Sequence, residues 1–259
     1  MTRTMKLAIA AVSIPAILYA GACVLLYTRQ RTFLYYPTPV SPSHEAELIQ
    51  LESAGETLNI RRANPEQRRA ILYFGGNGED VAQSVPSFSA LFPQHTIYFV
   101  HYRGYGGSTG SPSEKGIFKD ALNVYDHVRG EHQGISVIGR SLGSGVAIHL
   151  ATHRKLQKLV MVTPYDSIEA LAKKNLPLFP VSLLLEDKYR SIDLAPGIEI
   201  PTLVVIAERD AVIPRAHTDS LVAGFDPAWI VTQVIEGATH NTLGGDSEYL
   251  SRLQLFLDD

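Results

Sequence analysis

The sequence has few of the residues that characterise disulfide-rich, zinc-binding or nucleic-acid-binding proteins. It contains a single cysteine, Cys23, so no disulfide can form within the chain, and no cysteine or histidine spacing is typical of a zinc site. Charged residues make up 19% of the chain, the net charge is −3, and no basic run occurs. These features predict no metal site and no nucleic-acid partner, and no motif predicts a cofactor.

Internal repeats and low-complexity tracts are also absent from the sequence. With 259 residues, of which 45% are hydrophobic, the chain is long enough to bury one sizeable core. Domains of the α/β class often remain single at this length. We therefore expect one globular domain at residues 31–259, preceded by a separate N-terminal segment at residues 1–30.

The N-terminal segment contains the longest uncharged run of the chain. The run extends over 22 residues from Leu7 to Thr28, and two basic residues flank it on each side. A helix of this length spans roughly 33 Å, which is enough to cross a bilayer. We expect a single-pass membrane anchor, and the balanced flanking charges leave its orientation undetermined.

Two other interpretations of this segment remain open. Ala20-Gly21-Ala22 provides the small residues of a signal-peptide cleavage site, and together with Cys23 it faintly resembles a lipoprotein processing site. The apolar run continues through Val24-Leu25-Leu26-Tyr27, where a mature lipoprotein would turn polar. This continuation favours an uncleaved anchor.

The remainder of the chain alternates apolar strands with helical segments. A hairpin is predicted from two strands joined by Ser53-Ala54-Gly55-Glu56. The predicted strands are 47–52, 57–62, 70–74, 96–100, 135–138, 159–162, 202–207 and 230–235, and the predicted helices are 80–91, 113–129, 144–153, 215–224 and 247–257. Continuous apolar strands separated by helices are typical of a mostly parallel sheet covered on both faces.

A Gly-x-Ser-x-Gly pattern stands at the end of the third strand that follows the hairpin. The residues are Gly139-Arg140-Ser141-Leu142-Gly143, between the strand at 135–138 and a small-residue helix. Such a turn, the nucleophile elbow, exposes a serine hydroxyl and places the first amides of the helix beside it. On its own the pattern also fits an ordinary glycine-rich turn.

An acid and a histidine follow Ser141 in chain order, each just after a buried strand. Asp210 follows the strand at 202–207, and His240 lies in a small-residue loop after the last strand. A serine hydroxyl needs a basic imidazole to become a nucleophile, and the imidazole needs a carboxylate to orient it. We therefore predict a triad of these three residues, with Glu208, Asp166 and Asp246 as competing acids.

These residues and several further motifs resemble the α/β-hydrolase superfamily over residues 31–259. The matches are Phe33-Leu34-Tyr35-Tyr36-Pro37, Tyr102-Arg103-Gly104-Tyr105-Gly106, Gly110-Ser111-Pro112-Ser113-Glu114, the elbow, and Asp210 with Val212-Ile213-Pro214. Within the superfamily the chain is similar to the small membrane-anchored branch of α/β-hydrolase-domain proteins. The resemblance implies an eight-stranded sheet, no cofactor, and, for the bacterial members, the inner membrane as location.

The resemblance also assigns roles to individual residues. It implies Ser141 as nucleophile, His240 as general base and acid, and Asp210 as the orienting carboxylate. It further implies an oxyanion hole made by the backbone N–H groups of Asn77 and Leu142. Relatives in this branch act on lipid esters and palmitoyl thioesters, which implies an apolar acyl substrate.

The chain departs from the branch at two positions. Gly75 stands where the branch usually has histidine, and His101 stands where it usually has aspartate. One hypothesis is that the His101 ring fills the space near the Gly75–Gly78 loop that the missing histidine side chain would occupy. The alternative is that both positions changed independently.

Residues 168–192 precede the strand that leads to Asp210, and they contain an apolar stretch interrupted by prolines. This segment fits either part of the core or a small cap that gives the site an apolar wall. We expect a cap, and we name Phe179 and Leu183 as candidates for the substrate pocket.

Three functions are compatible with these residues. The first is an esterase or thioesterase that forms an acyl-serine intermediate, with a small-molecule acyl ester or thioester as substrate. The others are a peptidase-like hydrolase and a membrane-tethered binding scaffold with an inactive triad. No pattern in the chain predicts an oligomeric state.

Overall fold

One long helix contains the predicted membrane anchor. The computed structural model describes residues 2–41 and 45–259, apart from the side chains of residues 7–10, so the first residue of the predicted anchor lies outside this range. Helix α1 (Arg3–Leu34) begins where the Thr2 hydroxyl accepts a hydrogen bond from the Met5 N–H, and it contains Pro15. By length and composition it is sufficient to cross a membrane. It continues four residues beyond the boundary expected at residue 30.

A single sheet of eight strands forms the centre of the domain that follows helix α1. The strands are β1 (Glu47–Ser53), β2 (Glu56–Ala63), β3 (Arg69–Phe74), β4 (His95–Val100), β5 (Gly134–Arg140), β6 (Leu159–Val162), β7 (Thr202–Ala207) and β8 (Ile230–Ile235). Their order across the sheet is β1-β2-β4-β3-β5-β6-β7-β8. Strands β3 to β8 are parallel to their neighbours among themselves, whereas β2 runs antiparallel to both β1 and β4.

Helices cover both faces of this sheet. The main ones are α2 (Val85–Leu91), α3 (Glu114–Val128), α4 (Leu142–His153), α8 (Arg215–Val222) and α9 (Ser247–Asp258). The apolar side chains of α3, α4 and α8 join one core cluster, and those of α2 and α9 join a second cluster on the other face. Every residue of β4 and β7 is buried between these layers. This arrangement confirms the predicted α/β fold.

The predicted strand boundaries agree with the structure to within two residues, and the differences have local causes. The predicted hairpin forms at β1 and β2, because Ala54 and Gly55 adopt the positive φ angles of 54° and 85° that a tight two-residue turn needs. The predicted helix at 80–91 is instead a 3₁₀ turn, Val81–Ser84, followed by α2. Pro86 has no backbone N–H to donate, so it fits the first turn of a new helix.

Three short helices occupy the segment predicted as a cap. They are α5 (Ile168–Asn175), α6 (Val181–Leu184) and α7 (Ser191–Leu194). The Ser167 hydroxyl caps α5 by accepting from the Ala170 N–H at 3.0 Å. The prolines at 177 and 180 keep the stretch between α5 and α6 irregular.

The hypothesis that His101 fills the space beside Gly75 is wrong. A Cβ added at Gly75 would meet Val81 and Glu79, which already occupy that space. The His101 ring lies instead against Gly106, whose φ of 53° and missing side chain leave room for the ring. His101 is thus a buried core residue of a neighbouring loop.

We expect buried histidines to destabilise the fold in mild acid. Burial lowers the pKa of His95, His101 and His149 to about 4, from an ordinary value of 6.5. Between pH 6.5 and pH 4 the unfolded chain therefore binds more protons than the folded chain. The contribution of these neutral histidines to the free energy of unfolding is therefore largest above about pH 6.5. It decreases as the pH falls and levels off below about pH 4.

His101→Gln should make this pH dependence shallower, whereas His127→Gln, at an exposed position, should leave it unchanged. Thermal unfolding of the full chain in detergent between pH 4 and pH 7.5 measures both slopes. An unchanged slope in a folded His101→Gln protein would contradict the conclusion that protonation of His101 contributes to this pH dependence.

Candidate active site

Ser141 occupies a strained turn between strand β5 and helix α4. Its φ of 49° and ψ of −114° lie in a region that residues other than glycine rarely adopt, at a cost of about 1–3 kcal/mol. The Ser141 N–H donates to the Val162 carbonyl at 2.8 Å, and the Ser141 carbonyl accepts from the Ser144 hydroxyl at 2.7 Å. These bonds hold the backbone in the strained conformation.

The two glycines of the elbow allow α4 to approach the sheet closely. A Cβ at Gly139 would collide with the Gly143 carbonyl oxygen and lie 2.6 Å from the Ala147 Cβ. A Cβ at Gly143 would collide with the Phe74 carbonyl oxygen at the end of β3. Any larger side chain at either position would therefore push the helix away from the strand and change the turn.

His240 lies between Ser141 and Asp210, and it contacts both. Its Nε2 is 3.0 Å from the Ser141 Oγ, and its Nδ1 is 2.8 Å from the Asp210 Oδ2. Because an ionised carboxylate only accepts hydrogen bonds, Nδ1 is the nitrogen that donates to Asp210. This leaves Nε2 free to accept the proton of the Ser141 hydroxyl. The structure thus brings together the three residues predicted to form the triad.

The surroundings of Asp210 favour its ionised form. Partial burial opposes ionisation, but hydrogen bonds from His240 and from the N–H groups of Ile213 and Val212 outweigh it and hold the pKa of Asp210 below its ordinary value. Its side chain is 6% exposed. A shielded, ionised carboxylate can orient the His240 ring and stabilise the positive charge that the ring gains on protonation.

The three competing acids have other partners. Glu208 accepts a hydrogen bond from the Gly237 N–H, and Asp246 caps helix α9. Asp166 accepts from the Ser167 N–H and lies 2.9 Å from the Nδ1 of His217. None of these three carboxylates is bonded to His240 in the described part of the chain.

The loop after β3 lies beside Ser141 and brings a second backbone amide to the site. A Cβ added at Gly76 would lie 3.6 Å from the Ser141 Cβ. The backbone N–H groups of Asn77, in this loop, and of Leu142, at the start of α4, have no acceptor among the described residues. Two such groups are available to bind a negatively charged oxygen, as the prediction of an oxyanion hole requires.

The Asn77 side chain ties this loop to the end of helix α1. Its Oδ1 accepts hydrogen bonds from the Tyr36 N–H at 3.0 Å and the Tyr105 hydroxyl at 2.8 Å. Its Nδ2 donates to the Leu34 carbonyl at 2.6 Å. The loop that approaches Ser141 is therefore held directly by the last turn of the N-terminal helix.

A charged pair that the sequence analysis missed links three loops of the site. Arg140, directly before Ser141, donates to Glu79 at 3.0 Å and to the His240 carbonyl at 2.9 Å. Glu79 also accepts from the Gly76 N–H at 2.7 Å and the Tyr73 hydroxyl at 2.6 Å. The signal in the sequence was a lone arginine at the end of an apolar strand, next to the predicted nucleophile.

The two pocket candidates differ in position. Phe179 lines an apolar groove of about 530 Å³ between helix α1 and the cap helices α5 and α6. Leu183 does not line this groove, and the residue is 83% exposed. On the single turn of α6, Leu184 faces the groove instead, together with Leu185 directly after the helix.

Comparisons with known proteins identify the class of the fold. No protein-family profile matches the chain. An esterase from Pyrococcus furiosus shares the fold with a TM-score of 0.70 and 15% identity, over 86% of this chain and 97% of the esterase. A bacterial membrane phospholipase A does so with a TM-score of 0.66 and 15% identity, over 98% of this chain and 96% of that one. The fold is therefore the α/β-hydrolase fold.

A sequence relative gives the family. The chain is 30% identical to the alpha/beta hydrolase domain-containing protein aho-3 of Caenorhabditis elegans over 210 aligned residues. The aligned region covers 76% of this chain and 60% of that protein. The chain belongs to the α/β-hydrolase superfamily, and its relatives are α/β-hydrolase domain-containing proteins. The resemblance noted in the sequence is confirmed.

Glu79→Gln tests whether the charged pair positions the site. The substitution keeps the side-chain shape but removes the negative charge that faces Arg140, so we expect a loss of about 1–3 kcal/mol of stability. We also expect kcat on p-nitrophenyl butyrate to fall about tenfold with little change in KM, because the loops would lose their alignment.

Glu131→Gln is the matched control. Glu131 lies 3.8 Å from Arg62 and its side chain is 54% exposed, so this change should cost less than about 1 kcal/mol and leave kcat unaltered. Chemical denaturation and steady-state kinetics measure both effects. Equal kcat in Glu79→Gln and the wild type would refute the positioning role.

Proposed function

We propose that this chain is a serine hydrolase that cleaves a carboxylic ester or thioester of an apolar acyl substrate. One observation carries the proposal: Ser141, His240 and Asp210 form a continuous hydrogen-bonded chain, with separations of 3.0 Å and 2.8 Å. The N–H groups of Asn77, in the loop after β3, and of Leu142, at the start of α4, have no acceptor in the described part of the chain. This is the set of groups that acyl transfer through a serine requires.

The first half-reaction forms an acyl-serine. The Ser141 oxygen attacks the substrate carbonyl carbon while His240 Nε2 takes the hydroxyl proton. The resulting oxyanion accepts hydrogen bonds from the N–H groups of Asn77 and Leu142. His240 then gives its proton to the leaving alcohol or thiol, the bond to that group breaks, and the acyl group remains on Ser141.

The second half-reaction returns the free enzyme. Water attacks the acyl carbonyl while His240 accepts its proton, and the same N–H groups bind the second oxyanion. When this intermediate collapses, the bond to the Ser141 oxygen breaks, His240 returns its proton to that oxygen, and the carboxylic acid is released. Loss of one such oxyanion donor typically costs about 2.7–4 kcal/mol of transition-state stabilisation.

The surroundings of the site support an apolar acyl substrate and a location at a membrane. The groove that Phe179 lines lies between the cap and helix α1, and it is lined mainly by apolar side chains. Helix α1 is long and apolar enough to anchor the chain in a bilayer. The membrane phospholipase A of the same fold matches 98% of this chain, which includes most of α1. We therefore propose a membrane-anchored enzyme with lipid-like substrates.

Labelling with a fluorophosphonate probe tests the role of Ser141. The probe reacts with an activated serine, so we expect labelling of the full chain and its loss in Ser141→Ala. Ester hydrolysis in this variant should fall by about 10⁴-fold or more. Ser251→Ala, on the exposed face of α9, is the matched control and should react like the wild type. An unlabelled but correctly folded wild type would favour the binding-scaffold alternative.

A substrate panel separates the remaining alternatives. We expect p-nitrophenyl esters of long acyl chains to give a kcat/KM about tenfold or more above the acetate ester, because the groove is apolar. An acyl thioester and an amide of the same chain length complete the panel. Preference for the acetate would contradict an apolar acyl substrate, and preference for the amide would favour a peptidase-like enzyme.

A further inference from the structure

The second half of helix α1 packs along the cap. The Tyr19 hydroxyl donates to the Leu178 carbonyl at 2.8 Å, and the Tyr19 ring stacks on Phe179 with centroids 5.6 Å apart. In the last turn of the helix, Arg31 pairs with Asp187 at 3.0 Å, and the Asp187 side chain is only 5% exposed. From Tyr19 to Leu34, the helix that carries the anchor is therefore a fixed neighbour of the cap.

The groove of about 530 Å³ lies between these two elements. Its walls are Leu26, Phe33 and Leu34 from α1, and Leu171, Leu176 and Phe179 from the cap, and its two polar residues are Gln30 and Asn175. None of the charged residues in the described ranges lines it. Such a lining suits a hydrocarbon chain and disfavours a polar or charged ligand.

Leu34 links the groove to the loop that approaches Ser141, although neither Ser141 nor His240 lines the groove. Leu34 lines the groove, and its carbonyl accepts the hydrogen bond from the Asn77 side chain. The backbone N–H of Asn77 is one of the two proposed oxyanion donors. Through Leu34 the groove therefore adjoins the loop that approaches Ser141.

Part of the groove lies at the level of the bilayer. Tyr19 is nine residues before Thr28, the end of the uncharged run, which corresponds to about 13 Å along the helix axis. The cap residues that contact Tyr19 share this depth in the hydrocarbon core of a membrane that α1 crosses. Leu178, whose carbonyl contacts Tyr19, is 81% exposed, as expected for a side chain that faces lipid rather than water.

We propose that the groove between α1 and the cap receives the acyl chain of a bilayer lipid directly from the hydrocarbon core and leads its ester to Ser141. Four of the 13 residues that line the groove then come from the anchor helix itself. The proposal rests on the hydrolase function proposed above, and it adds that α1 is part of the substrate site. It also places the cap tip around Leu178 inside one leaflet.

Ala172→Phe fills part of the groove, since Ala172 lies in its lining. The full chain in phosphatidylcholine vesicles is assayed on 4-methylumbelliferyl palmitate held in the bilayer and on dissolved p-nitrophenyl acetate. We expect the ratio of the two rates to fall about tenfold in Ala172→Phe. Ala228→Phe, at an exposed position remote from the groove, is the matched control and should leave the ratio unchanged. An unchanged ratio in a folded Ala172→Phe protein would overturn the proposal.

A binding experiment tests the groove proposal separately from the proposed hydrolase function. Ser141→Ala protein is placed in vesicles that contain phosphatidylcholine with a photoreactive diazirine on its acyl chain. We expect crosslinks on the groove residues Leu171, Phe179 and Leu184 of the cap, and their loss when Ala172→Phe is added, while crosslinks on the exposed α1 residues Ile17 and Leu18 persist.

Absence of the cap crosslinks in the Ser141→Ala protein overturns the groove proposal even if the wild type is an active esterase. A wild type that hydrolyses no ester contradicts the proposed function instead, and the crosslinks then decide whether the groove binds lipid.

Discussion

Helix α4 begins so close to strands β3 and β5 that only hydrogen fits as a side chain at Gly139 and Gly143. This close approach forces the residue between strand and helix into a positive φ, and the surrounding hydrogen bonds offset the strain at Ser141. The same geometry turns the hydroxyl toward His240, and the first amide of α4 has no acceptor among the described residues. The positions of the proposed nucleophile and of one proposed oxyanion donor therefore depend on a single packing contact.

The loops that meet at this turn come from distant parts of the chain, and charge holds them together. Arg140 and Glu79 are mostly shielded from water, with side-chain exposures of 19% and 11%. Between them they contact the loop after β3, the elbow and the backbone of His240. In such a low-dielectric position an ion pair fixes geometry more effectively than one on the surface, since solvent and salt screen it less.

Helix α1, the proposed membrane anchor, is bonded to a loop of the same site. Its last turn accepts a hydrogen bond from Asn77 through the Leu34 carbonyl, and its earlier turns form one wall of the apolar groove. The buried carboxylate of Asp187 fixes the junction by accepting from Arg31 and Tyr35. If α1 is the anchor proposed above, this junction holds the domain at a defined height and orientation, as a flexible tether would not.

The sequence by itself determined the alternation of strands and helices, the elbow, and the positions after the strand ends where His240 and its partners stand. These features depend on residues that are close together in the sequence, through hydrophobic periodicity and turn chemistry. They can therefore be predicted from the sequence alone. Only the tertiary structure decided that Arg140 meets Glu79, that Val81 rather than His101 fills the space beside Gly75, and that Leu183 points outward. Each of these outcomes depends on which distant segments pack together and on how a short helix is rotated, and local propensity does not encode either.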